Sequence, residues 1–256
     1  MANWATRRKG TYISLIGVFF LVIIGIPVFL ATYHKPTCFD RVMNGDEIGV
    51  DCGGSCVKLC QAAFLPPSVL WTKFEKVAPG FYNVASYIVN PNTNGAAVNV
   101  PYRFMLYDDR GVLITTAEGV TTLPAHRNML AFIGAVSTQK RIPAKVVFEF
   151  TGVPVWKNSH DTLDGLAITD KKYSEDATGA VLEVSLENRS LTPYENVYVF
   201  AILHDAEGNT IGFSRTHIDV VNPGGTEIAP FTWPVSREGK VTTIEVLPLV
   251  PPVIDL

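Results

Sequence analysis

The sequence predicts a mainly β protein: two tandem immunoglobulin-like β-sandwich domains, preceded by one transmembrane helix and a small disulfide-rich module. Three observations carry this. One long uncharged apolar run lies near the start, all four cysteines fall within a single short window, and a strand-and-turn pattern returns after about a hundred residues. Hydrophobic residues make up 47% of the 256 positions and charged residues 18%, low in charge for a chain living wholly in water.

The apolar run is residues 13–31, ISLIGVFFLVIIGIPVFLA. At ~1.5 Å per residue a helix of this length about spans a ~30 Å hydrocarbon core, and a helix satisfies its own backbone hydrogen bonds in lipid. Ile13, Phe20, Leu21, Ile24 and Leu30 are among the side chains expected to meet lipid. Arg7, Arg8 and Lys9 precede the run, and Lys35 is the one nearby cation after it. The positive-inside rule then places residues 1–11 in the cytoplasm, 12–33 across the cell membrane and everything later outside the cytoplasm. Tyr12 and Tyr33 flank the span as interfacial aromatics do. The competing reading is a cleaved signal peptide. Its apolar core is usually ~7–15 residues and ends in a small-x-small site, which Leu30-Ala31-Thr32-Tyr33 matches poorly.

Residues 36–62 hold Cys38, Cys52, Cys56 and Cys60. An even number in an exported segment reads as two disulfides, with three pairings open. So short a segment cannot build an apolar core of its own and needs covalent staples, each worth about 2–4 kcal/mol. Asp40, Asn44, Asp46, Glu47 and Asp51 supply the hard oxygens that calcium takes, though not at EF-hand spacing. The alternative is that these side chains cap turns through nearby backbone N–H groups. Zinc on four thiolates is a third reading, disfavoured in an oxidising compartment.

Residues 37–60 read T-C-F-D-R-V-M-N-G-D-E-I-G-V-D-C-G-G-S-C-V-K-L-C. The segment resembles a cysteine-rich module of exported multidomain bacterial proteins, with pattern C-x-D-x-x-x-N-G-x-E-x-G-x-D-C-G-G-x-C. It departs where three residues, not the commoner two, separate Cys56 from Cys60. The resemblance implies export and attachment to further domains, and no reaction.

After Phe64-Leu65-Pro66-Pro67 comes the duplication. Residues 83–90 (NVASYIVN) match 180–188 (AVLEVSLEN), each an alternating strand ending at Asn. Residues 102–111 match 199–208, each a strand closed by an Asp-x-x-Gly turn, with Gly111 and Gly208 expected at positive φ. Leu123-Pro124 matches Asn222-Pro223, Ala131-Phe132 matches Pro230-Phe231, and residues 148–150 match 244–246. The repeat length suits an immunoglobulin-sized sandwich, giving domains at 66–155 and 164–256. Residues 154–165 read as the linker. The proline-rich tail, 247–256, reads as a continuation of the last strand. Phe104, Leu106, Tyr107 and Asp108 carry a Phe-x-Leu-Tyr-Asp pattern that resembles the FxLYD-type sandwich domains of exported bacterial proteins. The second copy keeps Leu203 and Asp205 but has Ala201 and His204. The family implies a β-sandwich, usually without known activity.

No nucleophile elbow, Walker loop, zinc-protease helix or dinucleotide fingerprint occurs in the chain. His204, Asp205 and His217 are the nearest thing to half a metal site, and Asn188-Arg189-Ser190 is a glycosylation sequon. Net charge is −3, which argues against nucleic acid as a partner. The expected function is a non-enzymatic binding or structural role at the cell envelope, with no cofactor unless calcium binds. The partners are the membrane, through the N-terminal helix, and an unknown envelope protein. An accessory subunit of a secretion or pilus assembly machine, and a hydrolase with an unrecognised site, are the alternatives.

Overall fold

The computed structural model describes residues 4–33, 35, 37–56, 58, 60, 63–159, 163–234 and 239–250. The chain divides into two compact units, Met1–Cys56 and Val57–Leu256.

The first unit opens with helix α1, Trp4–Thr32. Within it Arg8–Phe29 is long and apolar enough to cross a membrane, and none of that stretch is buried by protein. Its described apolar side chains are exposed on every face, as in a membrane anchor or a signal sequence. Ile13, Phe20, Leu21 and Ile24 are all exposed, and Leu30 lies in the last turns. Pro27 sits inside the helix, and Phe29 stacks on Tyr33 just beyond it with ring centroids 5.2 Å apart.

The second unit is all β. Its first half runs β1 (Ser68–Ala78), β2 (Phe81–Val89), β3 (Gly95–Tyr107), β4 (Leu113–Leu123), β5 (Asn128–Ser137), β6 (Lys145–Phe150) and the two-residue β7 (Lys157–Asn158). Its second half runs β8 (Leu166–Asp176), β9 (Gly179–Asn188), β10 (Tyr194–His204), β11 (Thr210–Val221), β12 (Thr226–Trp233) and β13 (Thr243–Leu249). The sheets are β1-β2-β5 and β4-β3-β6 in the first half, β8-β9-β12 and β11-β10-β13 in the second. Every described pairing between these strands is antiparallel. Apart from β7, the second half repeats the topology of the first, so the duplication in sequence is a duplication in fold.

Local chemistry repeats as well. Asp108 Oδ1 accepts from the backbone of Arg110 and Val112, and Asp205 Oδ1 accepts from Glu207 and Asn209. Gly111 and Gly208 close these turns at φ 74° and 81°, a region that favours glycine. The strand-ending Asn90 and Asn188 are buried. Each donates its amide to two carbonyls of the adjoining loops: Gly95 and Pro124 for Asn90, Thr192 and Val221 for Asn188. The sequon at Asn188 therefore has its amide nitrogen committed inside the fold.

Each half encloses its own core. Val84, Ile88, Phe104, Leu106, Met129 and Trp156 lie in the first, Leu182, Leu186, Val199, Leu203, Phe231 and Trp233 in the second. Trp156 is buried and stacks near Phe64, at 5.7 Å. Both lie outside the expected limits 66–155, so the first sandwich runs from Phe64 through β7. The linker expectation fails for the same reason: Trp156 plugs the core, β7 pairs with Gly95 and Ala96, and Leu163 is buried. His160 and residues 161–162 lie outside the described residues.

One match in the repeat is out of step. Ala131 faces the first core, but Phe132 points to the opposite face, whereas Phe231 lies in the second core. Ile133, paired with Val84, is the true counterpart of Phe231, paired with Leu182. A slip of one residue in a strand exchanges its faces.

The two sandwiches are joined by a third apolar cluster. Ala85, Tyr87, Leu130 and Phe132 on the outer face of β1-β2-β5 meet Phe200, Ile202, Phe213 and Leu249 on the outer face of β11-β10-β13. The second unit thus stacks four sheets with three apolar layers between them. Each fully buried side chain of that size contributes about 1.5–3 kcal/mol, so the seam has the character of a core.

Candidate functional site

The stapled module comes first because the sequence singled it out. Cys38 pairs with Cys56, and Cys52 with Cys60. Among the described residues no cysteine is free. The Cys-Gly-Gly step is needed for close packing: at Gly54, φ +60°, a Cβ would lie 2.1 Å from the Asp46 carbonyl oxygen.

The four carboxylates each serve a turn, while the Asn44 side-chain oxygen is buried without a hydrogen-bond partner. Asp40 accepts from the backbone N–H of Val42 and Thr37 and from the amide of Asn44. Asp51 accepts from the Arg41 N–H at 2.9 Å, and Asp46 from the N–H and hydroxyl of Ser55. Glu47 accepts from the Asn44 N–H. The Asn44 amide holds the Asp40 carboxyl below the usual carboxylate range, and the Ser55 hydroxyl does the same for Asp46. Asp40, Asn44 and Glu47 are brought together, while Asp46 and Asp51 brace other turns. Cys38, Glu47 and Cys56 form the one close group of ligand-type atoms among the described residues. Those two sulfurs are disulfide-bonded and have lost the thiolate a metal needs.

His204 and His217 do not come together. His204 Nε2 lies 3.4 Å from Glu245, while His217 Nδ1 lies 3.3 Å from Asp219. His217 pairs across the ladder with Tyr198, six residues along β10 from His204, hence about 20 Å away. The Asp205 carboxylate is taken by its turn.

The seam is what sequence reasoning missed. At one edge its charged groups are hydrogen-bonded across it: Tyr87 Oη donates to Glu245 at 2.7 Å, Lys73 Nζ donates to the Thr210 carbonyl at 2.9 Å, and the Phe213 N–H donates to Glu75. Burial pulls Lys73 down, opposed by the charge of Asp205. Burial also pushes the Tyr87 phenol far up, reinforced by Glu245. Elsewhere along the seam lies a cleft of about 370 Å³ lined by residues of both sandwiches, including Asn99, Tyr102, Phe132, Tyr198, Phe200 and Arg215. The Arg215 guanidinium sits over Phe132 at 5.2 Å and over Tyr198 at 5.5 Å. Tyr102 Oη donates to the Phe132 carbonyl, and burial pushes its pKa up to about 12 against the opposing pull of Arg215. The signal was present in one strand: YVFAIL in β10 is a continuous apolar run, as a strand buried on both faces requires.

No family model matches the chain, and no curated protein does. Among solved structures it is similar to red sea bream transglutaminase, at 12% identity and TM-score 0.23, over 70% of this chain and 31% of that one. It is also similar to a putative beta-galactosidase from Bacteroides fragilis, at 18% identity and TM-score 0.19, over 68% and 33%. The chain spans about a third of the length of each.

Proposed function

We propose that this protein is a single-pass membrane protein whose module and sandwiches lie outside the cytoplasm, with a non-enzymatic binding or structural role at the cell envelope. The observation that carries the reading is the seam. Interfaces between domains of one chain are ordinarily modest and polar, and they allow relative motion. This one buries four aromatic side chains, Tyr87, Phe132, Phe200 and Phe213. Two sandwiches fixed in this way present outer strands at constant spacing, which suits a scaffold or a docking platform. The apolar helix supplies the tether and the oxidised module the exported setting.

The test is made on the full chain in the membranes of cells that produce it. Cells are stripped of outer layers, treated with external protease, and separately cross-linked before affinity capture. The reading expects the sandwiches to be digested from outside and one envelope protein to be recovered reproducibly. Protection from external protease, or capture of no specific partner, overturns it.

A further inference from the structure

We infer that the cleft on the seam binds a small amphiphilic acid: a flat apolar body carrying one carboxylate. This site is independent of the membrane topology proposed above.

Three features of the cleft select that chemistry. Its walls are aromatic at Phe132, Tyr198 and Phe200 and polar at Asn99, Thr121 and Thr122, and its volume of about 370 Å³ falls in the range of small-ligand sites. Arg215 is the one charged residue in that lining among the described residues. No carboxylate pairs with it among the described residues, whereas His204 Nε2 lies 3.4 Å from Glu245. The rings of Phe132 and Tyr198 also take the face of the guanidinium, leaving its edge N–H donors for a ligand. A planar fork of this kind matches a carboxylate bidentately, and stacking on rings pre-orders it. A flat apolar body then replaces water against the aromatic walls, where stacking adds to burial.

A backbone irregularity shared by both sandwiches, with Asn196 at φ 54° in the second, also enters the cleft wall in the first. The β3–β4 ladder shifts register between Ala97 and Val100, and Asn99 there takes φ 54°. This irregularity puts Val98 and Asn99 into the cleft wall. Bulges commonly re-aim side chains beside binding sites.

The probe is naphthalene-2-carboxylate, titrated by calorimetry into the full chain held in nanodiscs, with naphthalene-2-methanol as the uncharged control and empty nanodiscs as blank. The inference expects saturable binding of the acid, and binding of the alcohol weaker by roughly tenfold or more. Arg215→Gln should weaken the acid by a similar factor and leave the alcohol unchanged. Arg215→Lys, which keeps charge but not the fork, should fall between. Equal binding of acid and alcohol overturns the inference, as does an unchanged Kd in R215Q or no saturable binding in the millimolar range. If R215Q shifts the unfolding midpoint, the acid-to-alcohol ratio in the native chain and in R215K decides.

Discussion

The module and the sandwich pair solve the same problem with opposite means. Between Cys38 and Cys56 the apolar side chains Phe39, Val42, Met43, Ile48 and Val50 all remain exposed. Order there comes from two disulfides and from carboxylates bound to backbone N–H groups. The sandwiches lack cysteine altogether and bury apolar side chains in three layers. The difference follows from size: a couple of dozen residues cannot remove enough surface from water to offset chain entropy, and a hundred can.

The largest effect should come from breaking a sandwich core. Phe231→Ala leaves a cavity in a fully buried site and should cost about 3–5 kcal/mol in denaturant unfolding. Because the seam links the two halves, the first sandwich should lose stability with the second, while the module's disulfides keep their resistance to reductant. Next in size, replacing Cys38 and Cys56 together by Ser should cost the module about 2–4 kcal/mol. The unfolding midpoint of the sandwiches should not move; a shift would show that the two modes of stabilisation are not separate.

The repeat offers a finer comparison. Asn90→Ala and Asn188→Ala each remove two amide-to-carbonyl hydrogen bonds that brace a strand end, so each should cost about 1–3 kcal/mol and by similar amounts. Unequal costs would mean that the two copies have diverged in how their loops are braced.

The pH responses separate the regions again. Tyr102 is raised when folded, so its contribution is fully present below the ordinary tyrosine value of 10.0 and is lost as pH rises toward about 12. A spectral titration of tyrosinate should show a late phase that coincides with loosening of the seam. Asp40 and Asp46 are lowered when folded, so their contribution is present above the ordinary value of 3.8 and is lost as pH falls through the lower folded values. Reduction of the module by a phosphine should therefore quicken below that pH, a small effect because both carboxyls are exposed to solvent.

How much of this was legible follows from the range of the forces. The helix, the turns at Asp108 and Asp205 and the repeat itself are local patterns, and each appears where the residues put it. The cysteine pairing was not legible, because three connectivities fit one spacing. The seam was half legible: the apolar run of β10 announces two buried faces but not what covers the second. Trp156 looked like linker because its partner, Phe64, lies on the far side of the first sandwich in sequence. Phe132 and Phe231 looked alike because chemistry repeats more plainly than register.

The proposed function rests on the proposal that the oxidised module is exported behind an anchor that stays in the membrane. The direct measurement is a maleimide-polyethylene glycol gel shift on the full chain in isolated membranes, with and without reductant. The account predicts a membrane-bound band that gains no adduct until reduced and then gains one per cysteine. Adducts formed without reductant, or a protein recovered in the soluble fraction, would contradict it.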